Sequence, residues 1–91
     1  MLADTTTTVR IVYLARLREA FGRDAETWAL PADATDVAAL VAALRARGGA
    51  WSHELAAGRA VRVAVNQVMA SPSTPVRAGD EVALFPPVTG G

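Results

Sequence analysis

The last six residues of the chain could perform chemistry at their end, because they form a thin extension that finishes in a reactive group. None of their side chains is charged. The two adjacent prolines favour an extended polyproline backbone, and the two glycines leave the tip without side chains. At about 3.1–3.3 Å per residue the segment reaches roughly 20 Å, so the tip could enter a narrow pocket. The group that it would deliver is the terminal carboxylate, which is ionised at neutral pH. The segment reads Pro86-Pro87-Val88-Thr89-Gly90-Gly91.

The composition excludes most other kinds of reactive site. The 91 residues suffice for one domain and include no cysteine and no lysine. A disulfide framework, a zinc–thiolate site and a cysteine nucleophile are therefore impossible. Nine arginines balance nine acids, which argues against a nucleic-acid partner. No uncharged stretch approaches the ~20 residues of a membrane span, and the first residues lack the features of a signal peptide. We therefore expect a cytoplasmic protein that contacts no membrane.

Few internal side chains are candidates for catalysis. His53 is the only histidine, and no serine or acid can be placed beside it from the sequence. We expect it to be a surface residue. The acids are scattered without the spacing of metal ligands, so no metal site is predicted. Asp80 and Glu81 are expected to serve a turn and the start of a strand.

Alternating apolar residues predict the strands that must position the extension. Residues 1–8, which include four consecutive threonines, have nothing to bury and are predicted to be a flexible lead-in. A folded domain should then occupy residues 9–85, followed by the tail 86–91. Residues 9–14 and 26–30 are predicted to form a hairpin that the short helical segment 15–21 connects, and Gly22 should end that segment. Further strands are predicted at residues 62–66, 68–70 and 81–85.

One longer helix is predicted between the second and third strands. Thr35 is the expected N-cap, and Asp36 would lie in the first turn. Gly48 and Gly49 should end the helix, and residues 51–55 should add a loose turn. A single apolar stripe suits one face of a mixed sheet, so the predicted fold class is α+β. The stripe consists of Val37, Leu40, Val41 and Leu44.

The opposite face of the sheet should also be apolar. Val9, Ile11 and Tyr13 alternate towards the core, which leaves the residues between them on the outer face. A solvated sheet face usually carries polar residues, so an apolar outer face indicates an interface. Scattered surface hydrophobes are the alternative explanation. The predicted interface residues are Val12, Leu14, Met69 and Phe85.

Three segments of the chain resemble a known family. Residues 79–91, which read GDEVALFPPVTGG, resemble the C-terminal signature of the small subunit of molybdopterin synthase. Residues 65–67 are similar to the central hairpin of that family, and residues 14–19 to its first strand-to-helix corner. The family consists of ubiquitin-like β-grasp sulfur carriers, so the resemblance implies a β-grasp fold from residue 9 to the end.

The resemblance implies a reaction cycle at Gly91. A separate ATP-dependent enzyme would adenylate the carboxylate, and sulfur from a donor would displace AMP to leave a thiocarboxylate. The tail would then insert into the large subunit of molybdopterin synthase, in a heterotetramer with two copies of each subunit. There it would donate sulfur to a cyclic pyranopterin monophosphate. The chain itself would bind no cofactor, and Arg18 would add a polar contact at the edge of the partner surface.

Two other functions remain open from the sequence. Carriers for thiamine thiazole or for thiolated nucleosides share the β-grasp fold and the Gly-Gly ending, but generally not the Phe-Pro-Pro-Val segment. A ubiquitin-like module without a sulfur role could bind or modify other proteins. The absence of lysine disfavours chains of such a modifier without excluding its attachment to other proteins. A stand-alone enzyme is the weakest hypothesis, since no catalytic cluster is evident.

Overall fold

The computed structural model describes residues 7–31 and 33–87. Within these ranges, five strands form one mixed sheet in the order β2-β1-β5-β3-β4, and three helices pack on one of its faces. This is the predicted α+β class. The strands are β1 (Thr7–Tyr13), β2 (Ala25–Leu30), β3 (Arg62–Val65), β4 (Val68–Met69) and β5 (Glu81–Phe85). The helices are α1 (Arg16–Phe21), α2 (Val37–Arg45) and α3 (Gly49–Glu54).

The first two strands form the predicted antiparallel hairpin, connected by α1. β1 begins at Thr7, two residues earlier than predicted, because Thr7 and Thr8 pair with the end of β2. At the other end of the connection, Gly22 ends α1 as predicted. Its φ of 70° is left-handed, and its N–H donates to the carbonyl of Arg18. Glycine adopts this conformation without the penalty that a Cβ would add.

The strand that carries the tail lies in the middle of the sheet. β5 pairs in parallel with β1, in a register that joins Arg10 to Glu81 and Tyr13 to Leu84. On its other side β5 pairs antiparallel with β3. Both rows of backbone hydrogen-bonding groups on β5 therefore have strand partners, which fixes the direction in which the chain leaves the sheet.

The longest helix begins and ends differently from the prediction. Asp36, not Thr35, is the N-cap of α2, and its carboxylate accepts from the backbone N–H of Ala39 at 2.9 Å. The backbone of Asp36 is extended, as an N-cap requires, so the stronger of the two adjacent capping residues takes the position. The helix ends at Arg45, before the two glycines. Residues 48 and 49, both with positive φ, lead instead into α3, where only a loose turn was predicted.

The β3–β4 hairpin lies where the family resemblance of residues 65–67 places it, and β3 ends one residue earlier than predicted. Asn66 and Gln67 both have positive φ, 50° and 69°, as in the type I′ turn of a two-residue hairpin. The Asn66 side chain also donates to Asp80 and accepts from the backbone N–H of Glu81, which ties the hairpin to the start of β5. β4 has only two residues and forms one edge of the sheet.

The core lies between the sheet and the helices. The alternation predicted for β1 is confirmed, since Val9, Ile11 and Tyr13 are all buried. Three of the four stripe residues on α2 are buried, and Val41 is half-buried at the margin. The other large contributors are Leu17, Phe21, Leu30, Leu55, Val63, Val76, Val82 and Leu84.

Candidate functional site

The tail begins where the central strand ends. β5 closes at Phe85, and Pro86 and Pro87 follow it half-buried. Proline has no N–H to offer a neighbouring strand, so the pairing ends here and the chain can leave the sheet. The other predicted tail residues, Val88, Thr89, Gly90 and Gly91, lie outside the described residues. We call Pro86 and Pro87 the tail root.

A continuous apolar row crosses the outer face of the sheet beside the tail root. The strand register pairs these residues side by side, so they point to the same face. No charged residue interrupts the row. In spatial order from β2 to β4 it consists of Ala25, Val12, Ala83, Ala64 and Met69.

The structure brings together the four apolar residues that were predicted to form a partner surface. Leu14 and Met69 are 42% and 58% exposed, which is high for large apolar side chains. Val12 and Phe85 are half-buried on the same face by alternation along β1 and β5. These four residues, with the small alanines between them, are called the outer face below. Their continuity favours an interface over scattered hydrophobes.

Two further exposed residues do not belong to the outer face itself, and the edge contact of Arg18 stays a prediction. Arg18, predicted as an edge contact, lies exposed on α1, beyond the corner that follows β1. Val68, 68% exposed, was not predicted as a surface residue. It pairs with Val65 and so belongs to the opposite side of the sheet, at the tip of the β3–β4 hairpin. Alternation within the two residues of β4 places Val68 and Met69 on different faces.

The corner between β1 and α1 has an unusual backbone. Ala15 has φ 54° and ψ −130°, a combination that glycine tolerates and that costs other residues of the order of 1–3 kcal/mol. Its carbonyl accepts from the N–H groups of Arg18 and Glu19, and so opens α1. The corner is held at Leu14, whose N–H donates to the carbonyl of Leu84. The strained residue therefore lies between the outer face and the first helix.

A charged cluster beside the tail root was not predicted from the sequence. Glu54 Oε1 accepts from Arg16 Nε at 3.2 Å and from an Arg59 guanidinium nitrogen at 2.9 Å. Burial of the carboxylate opposes its ionisation, but the hydrogen bond and charge of Arg59 and the charge of Arg16 outweigh it. They hold the pKa of Glu54 below its ordinary value. The partners are distant in sequence, so no local spacing could reveal them.

A second cluster joins the hairpin to the helices on the inner side of the sheet. Glu26 accepts hydrogen bonds from Arg23, from Arg47 and from the hydroxyl of Tyr13. That hydroxyl in turn accepts from Trp51 Nε1 at 3.2 Å. The Arg47 guanidinium lies 4.0 Å from the centre of the Trp51 ring and 5.3 Å from that of Trp28. Phe21 stacks on the other side of this arrangement, with its ring centre 4.6 Å from that of Trp51.

The second cluster contains two shifted acid–base groups. Burial raises the pKa of Tyr13, and the hydrogen bond to Glu26 raises it further, so the phenol remains protonated. Burial also opposes ionisation of Glu26, but hydrogen bonds from Arg47 and Tyr13 and the charges of Arg47 and Arg23 prevail. The pKa of Glu26 therefore lies below its ordinary value. Each polar group in the cluster has a partner, which is typical of a structural network.

The described part of the chain offers little for a metal or a membrane. Within residues 7–31 and 33–87, no three histidine or acidic side chains converge closely enough to hold a metal ion. His53 lies exposed on α3. None of the helices in these ranges has the length and apolar character needed to cross a membrane. The features that could carry a function are the outer face, the tail root and the cluster of Arg16, Glu54 and Arg59.

The chain is similar to known proteins along most of its length. The ThiS family matches residues 11–91. The chain is 41% identical over 83 residues to the molybdopterin synthase sulfur carrier subunit of Escherichia coli (strain K12). That match covers 91% of this chain and 99% of the relative.

Solved structures share the fold. The crystal structure of small archaeal modifier protein 1 from Haloferax volcanii is 29% identical, with a TM-score of 0.75, and the match covers 92% of this chain and 99% of that one. A complex of subunits 1 and 2 of the molybdopterin-converting factor from Helicobacter pylori 26695 contains a chain that is 24% identical. Its TM-score is 0.60 over 93% of this chain and 100% of that one.

Proposed function

The chain belongs to the ThiS family, and from this we infer that it acts as the sulfur carrier subunit of a molybdopterin synthase in molybdenum cofactor biosynthesis. The observation that carries the inference is the 41% identity to the Escherichia coli subunit, which extends over 99% of that protein's length. The chain is not a catalyst on its own. It supplies a group that enzymes load and then use.

We propose that sulfur is carried on Gly91 as a thiocarboxylate. A carboxylate is a poor electrophile, so an ATP-dependent enzyme would first convert it to an acyl-adenylate. Sulfur from a donor would then form the new bond to the carbonyl carbon while AMP leaves. This chemistry needs no side chain from the carrier and agrees with a chain that has no cysteine. A glycine tip suits it because the same residue must fit the enclosed sites of two partners.

The fold supports delivery of that group. The tail leaves from the central strand, which is paired on both sides, so its root is fixed relative to the outer face. Pro86 and Pro87 restrict the backbone at the exit and favour extension. A partner that binds the outer face would therefore find the tail in a defined direction.

The proposed partner at the outer face is the large subunit of molybdopterin synthase. The two-subunit complex from Helicobacter pylori shows that a chain of this fold can assemble with the second subunit of a molybdopterin-converting factor. In this chain Leu14, Phe85 and Met69 would contribute apolar contact and Arg18 a polar contact at its edge. We further propose a heterotetramer with two copies of each subunit. Sulfur would pass within it to a cyclic pyranopterin monophosphate.

Loading of Gly91 can be tested by intact mass. The chain is incubated with ATP, the activating enzyme and a sulfur source, and its mass should rise by one exchange of oxygen for sulfur. A variant that lacks Gly91 should show no increase under the same conditions. Persistence of the increase in that variant would place the sulfur elsewhere and refute the proposal.

The outer face can be tested by a charge placed beside the tail root. Phe85→Asp should weaken binding of the large subunit by about tenfold or more, because truncation of a central aromatic contact and burial of a carboxylate both oppose association. Val68→Asp is the matched control, since Val68 is more exposed and lies on the other side of the sheet. Affinities are measured by titration calorimetry. Equal affinities of the two variants would exclude the outer face as the surface that binds the large subunit.

The likeness to small archaeal modifier protein 1 favours a second candidate function, attachment to other proteins. Both functions would use an activated C-terminus, and they differ in where the acyl group goes. Formation of the thiocarboxylate without any binding of the large subunit would favour this function or another thiolation pathway. Productive transfer of sulfur in the two-subunit complex would favour the synthase.

A further inference from the structure

The functions proposed above do not explain why one charged cluster exposes its arginines and buries its carboxylate. This cluster consists of Arg16, Glu54 and Arg59. Glu54 lies beneath the two arginines, with its side chain only 12% exposed. The side chains of Arg16 and Arg59 are 49% and 40% exposed. The side chains of the two arginines are therefore accessible to solvent, whereas the Glu54 side chain is largely covered.

The two arginines border an open cavity at the tail root. Its volume is about 360 Å³, and among the described residues no acidic side chain lines it. The lining residues are Arg16, Gly58, Arg59, Ala60, Pro86 and Pro87. A partner wall around Pro86 and Pro87 would therefore lie beside Arg16 and Arg59.

The cluster keeps unused capacity for hydrogen bonds. A guanidinium has five N–H donors, and within the described residues Glu54 accepts through one nitrogen of each arginine. One carboxylate also offsets only one of the two positive charges. The cluster thus retains a net positive charge and donors that suit a second carboxylate.

A third arginine continues this surface towards the outer face. Arg62 is exposed and pairs across the strands with Phe85, so the two side chains share a face. The positive surface thus adjoins the apolar face at the point where the tail leaves. This arrangement is the usual anatomy of a protein interface, an apolar centre with a polar and charged margin.

We propose that Arg16, Arg59 and Arg62 form a docking site for carboxylate side chains of the molybdopterin synthase large subunit, at the entrance of the pocket that receives the tail. The proposal rests on the proposed function and adds the charge of the partner surface. Charges at an interface margin act chiefly on the rate of encounter and on orientation. The arginines would align the tail with the pocket before the apolar faces meet.

A phosphate on the substrate is a poorer fit to this position. Gly91 is five residues beyond Pro86, so in an extended tail at about 3.1 Å per residue the reacting end lies roughly 15 Å from the root. The group that meets the arginines therefore belongs to the wall around the tail. Protein surfaces supply such anionic groups as aspartate and glutamate.

The test compares single neutralised arginines at two positions. Association of the large subunit is followed by stopped-flow fluorescence for Arg59→Gln and for the control Arg77→Gln, which lies in the loop before β5. At about 0.1 M salt we expect Arg59→Gln to associate about three- to tenfold more slowly than the unmodified chain, and Arg77→Gln to match it. At about 1 M salt the three rates should converge, because screening removes the contribution of the charge.

A third variant separates docking from a merely structural role. Glu54→Gln keeps both arginines but removes their offsetting charge, so association at low salt should be as fast as in the unmodified chain or faster. If the cluster only stabilised the fold, Glu54→Gln and Arg59→Gln would lower the thermal midpoint alike and neither would alter the salt dependence. That result, or equal rates for Arg59→Gln and Arg77→Gln, would overturn the docking site.

Failure of this proposal differs from failure of the proposed function. At about 1 M salt, where charge effects are screened, Phe85→Asp reports on the outer face alone. The mass measurement reports on Gly91 without the large subunit. If both succeed while the arginine variants behave like the control, the function stands and only the docking site is refuted. If the large subunit does not bind the unmodified chain, the proposed function itself is refuted.

Discussion

Among the described residues, the carboxylate of Glu26 accepts hydrogen bonds from more side chains than any other carboxylate. It accepts from Tyr13, Arg23 and Arg47, and so joins β1, β2 and the end of α2. Its side chain is only 13% exposed. We therefore predict that Glu26→Ala is strongly destabilising although it leaves the apolar core unchanged.

The expected cost follows from the three partners. Tyr13 is fully buried, and its hydroxyl would lose its acceptor, which costs about 1–3 kcal/mol. Arg23 is 44% exposed and can turn to water, so its loss costs at most ~1 kcal/mol. Arg47, 24% exposed and held over two indole rings, contributes about 1 kcal/mol more after allowance for solvent screening. Together the variant should lose about 2–5 kcal/mol of the free energy of unfolding.

Urea unfolding followed by tryptophan fluorescence measures this loss directly. Both tryptophans of the chain lie against Arg47, so their emission reports on the same region. The matched control is Glu19→Ala, which removes an exposed carboxylate from α1 and should change the free energy by less than about 0.5 kcal/mol. A double-mutant cycle with Tyr13→Phe isolates the buried contact. In the Glu26→Ala background this change removes a buried hydroxyl whose proton has lost its acceptor, while the loss of the Trp51 hydrogen bond is common to both backgrounds. The coupling should therefore be about 1–2 kcal/mol.

Two results would refute this reasoning. A loss below about 1 kcal/mol for Glu26→Ala would mean that water replaces the carboxylate at little cost. A coupling near zero would mean that the Tyr13 hydroxyl finds another acceptor. Either result would show that the aromatic rings keep this arrangement by packing alone, without a contribution from the hydrogen bonds of Glu26.

Two further predictions concern acidity and backbone strain. Because the pKa of Glu26 is lower in the folded chain, its contribution should be complete above the unfolded value near 4.3 and be lost as pH falls through the folded value. Urea midpoints should therefore drop more steeply below about pH 4 in the unmodified chain than in Glu26→Ala; parallel curves would contradict this. Ala15→Gly should raise the free energy of unfolding by about 1 kcal/mol, since release of φ 54° outweighs the added freedom of the unfolded chain. A decrease in the urea midpoint would show that the corner is not strained.

Regular alternation made most of the sheet predictable. Val9, Ile11 and Tyr13 identify the buried side of β1, and the same rule places Val12 and Phe85 on the outer face. The hairpin around Asn66 was indicated by the resemblance of residues 65–67. The positive φ of Gln67 was not predictable, because glutamine is not among the residues that favour it. The predictable features depend on periods of two residues or on neighbours in the chain.

The rest of the site depends on contacts that no local pattern encodes. Arg16 and Glu54 are 38 residues apart, as are Tyr13 and Trp51, and only the folded topology makes them neighbours. The prediction of Thr35 as N-cap was wrong, because the adjacent Asp36 is the stronger capping residue and its backbone takes the extended conformation. The resemblance of residues 79–91 indicated the function more directly than any physical pattern, since it depends on a complete motif.

The parallel pairing of β1 and β5 also determines how the chain responds to mechanical force. A load applied between the start of β1 and the end of β5 pulls the two strands in opposite directions along their length, so their hydrogen bonds must break together and not one after another. Unfolding under force depends on the height of the barrier and not on the equilibrium stability. A partner or protease that pulls on the tail while the start of β1 is held therefore loads these two strands in shear. β5 therefore both positions the tail and resists a force applied to it.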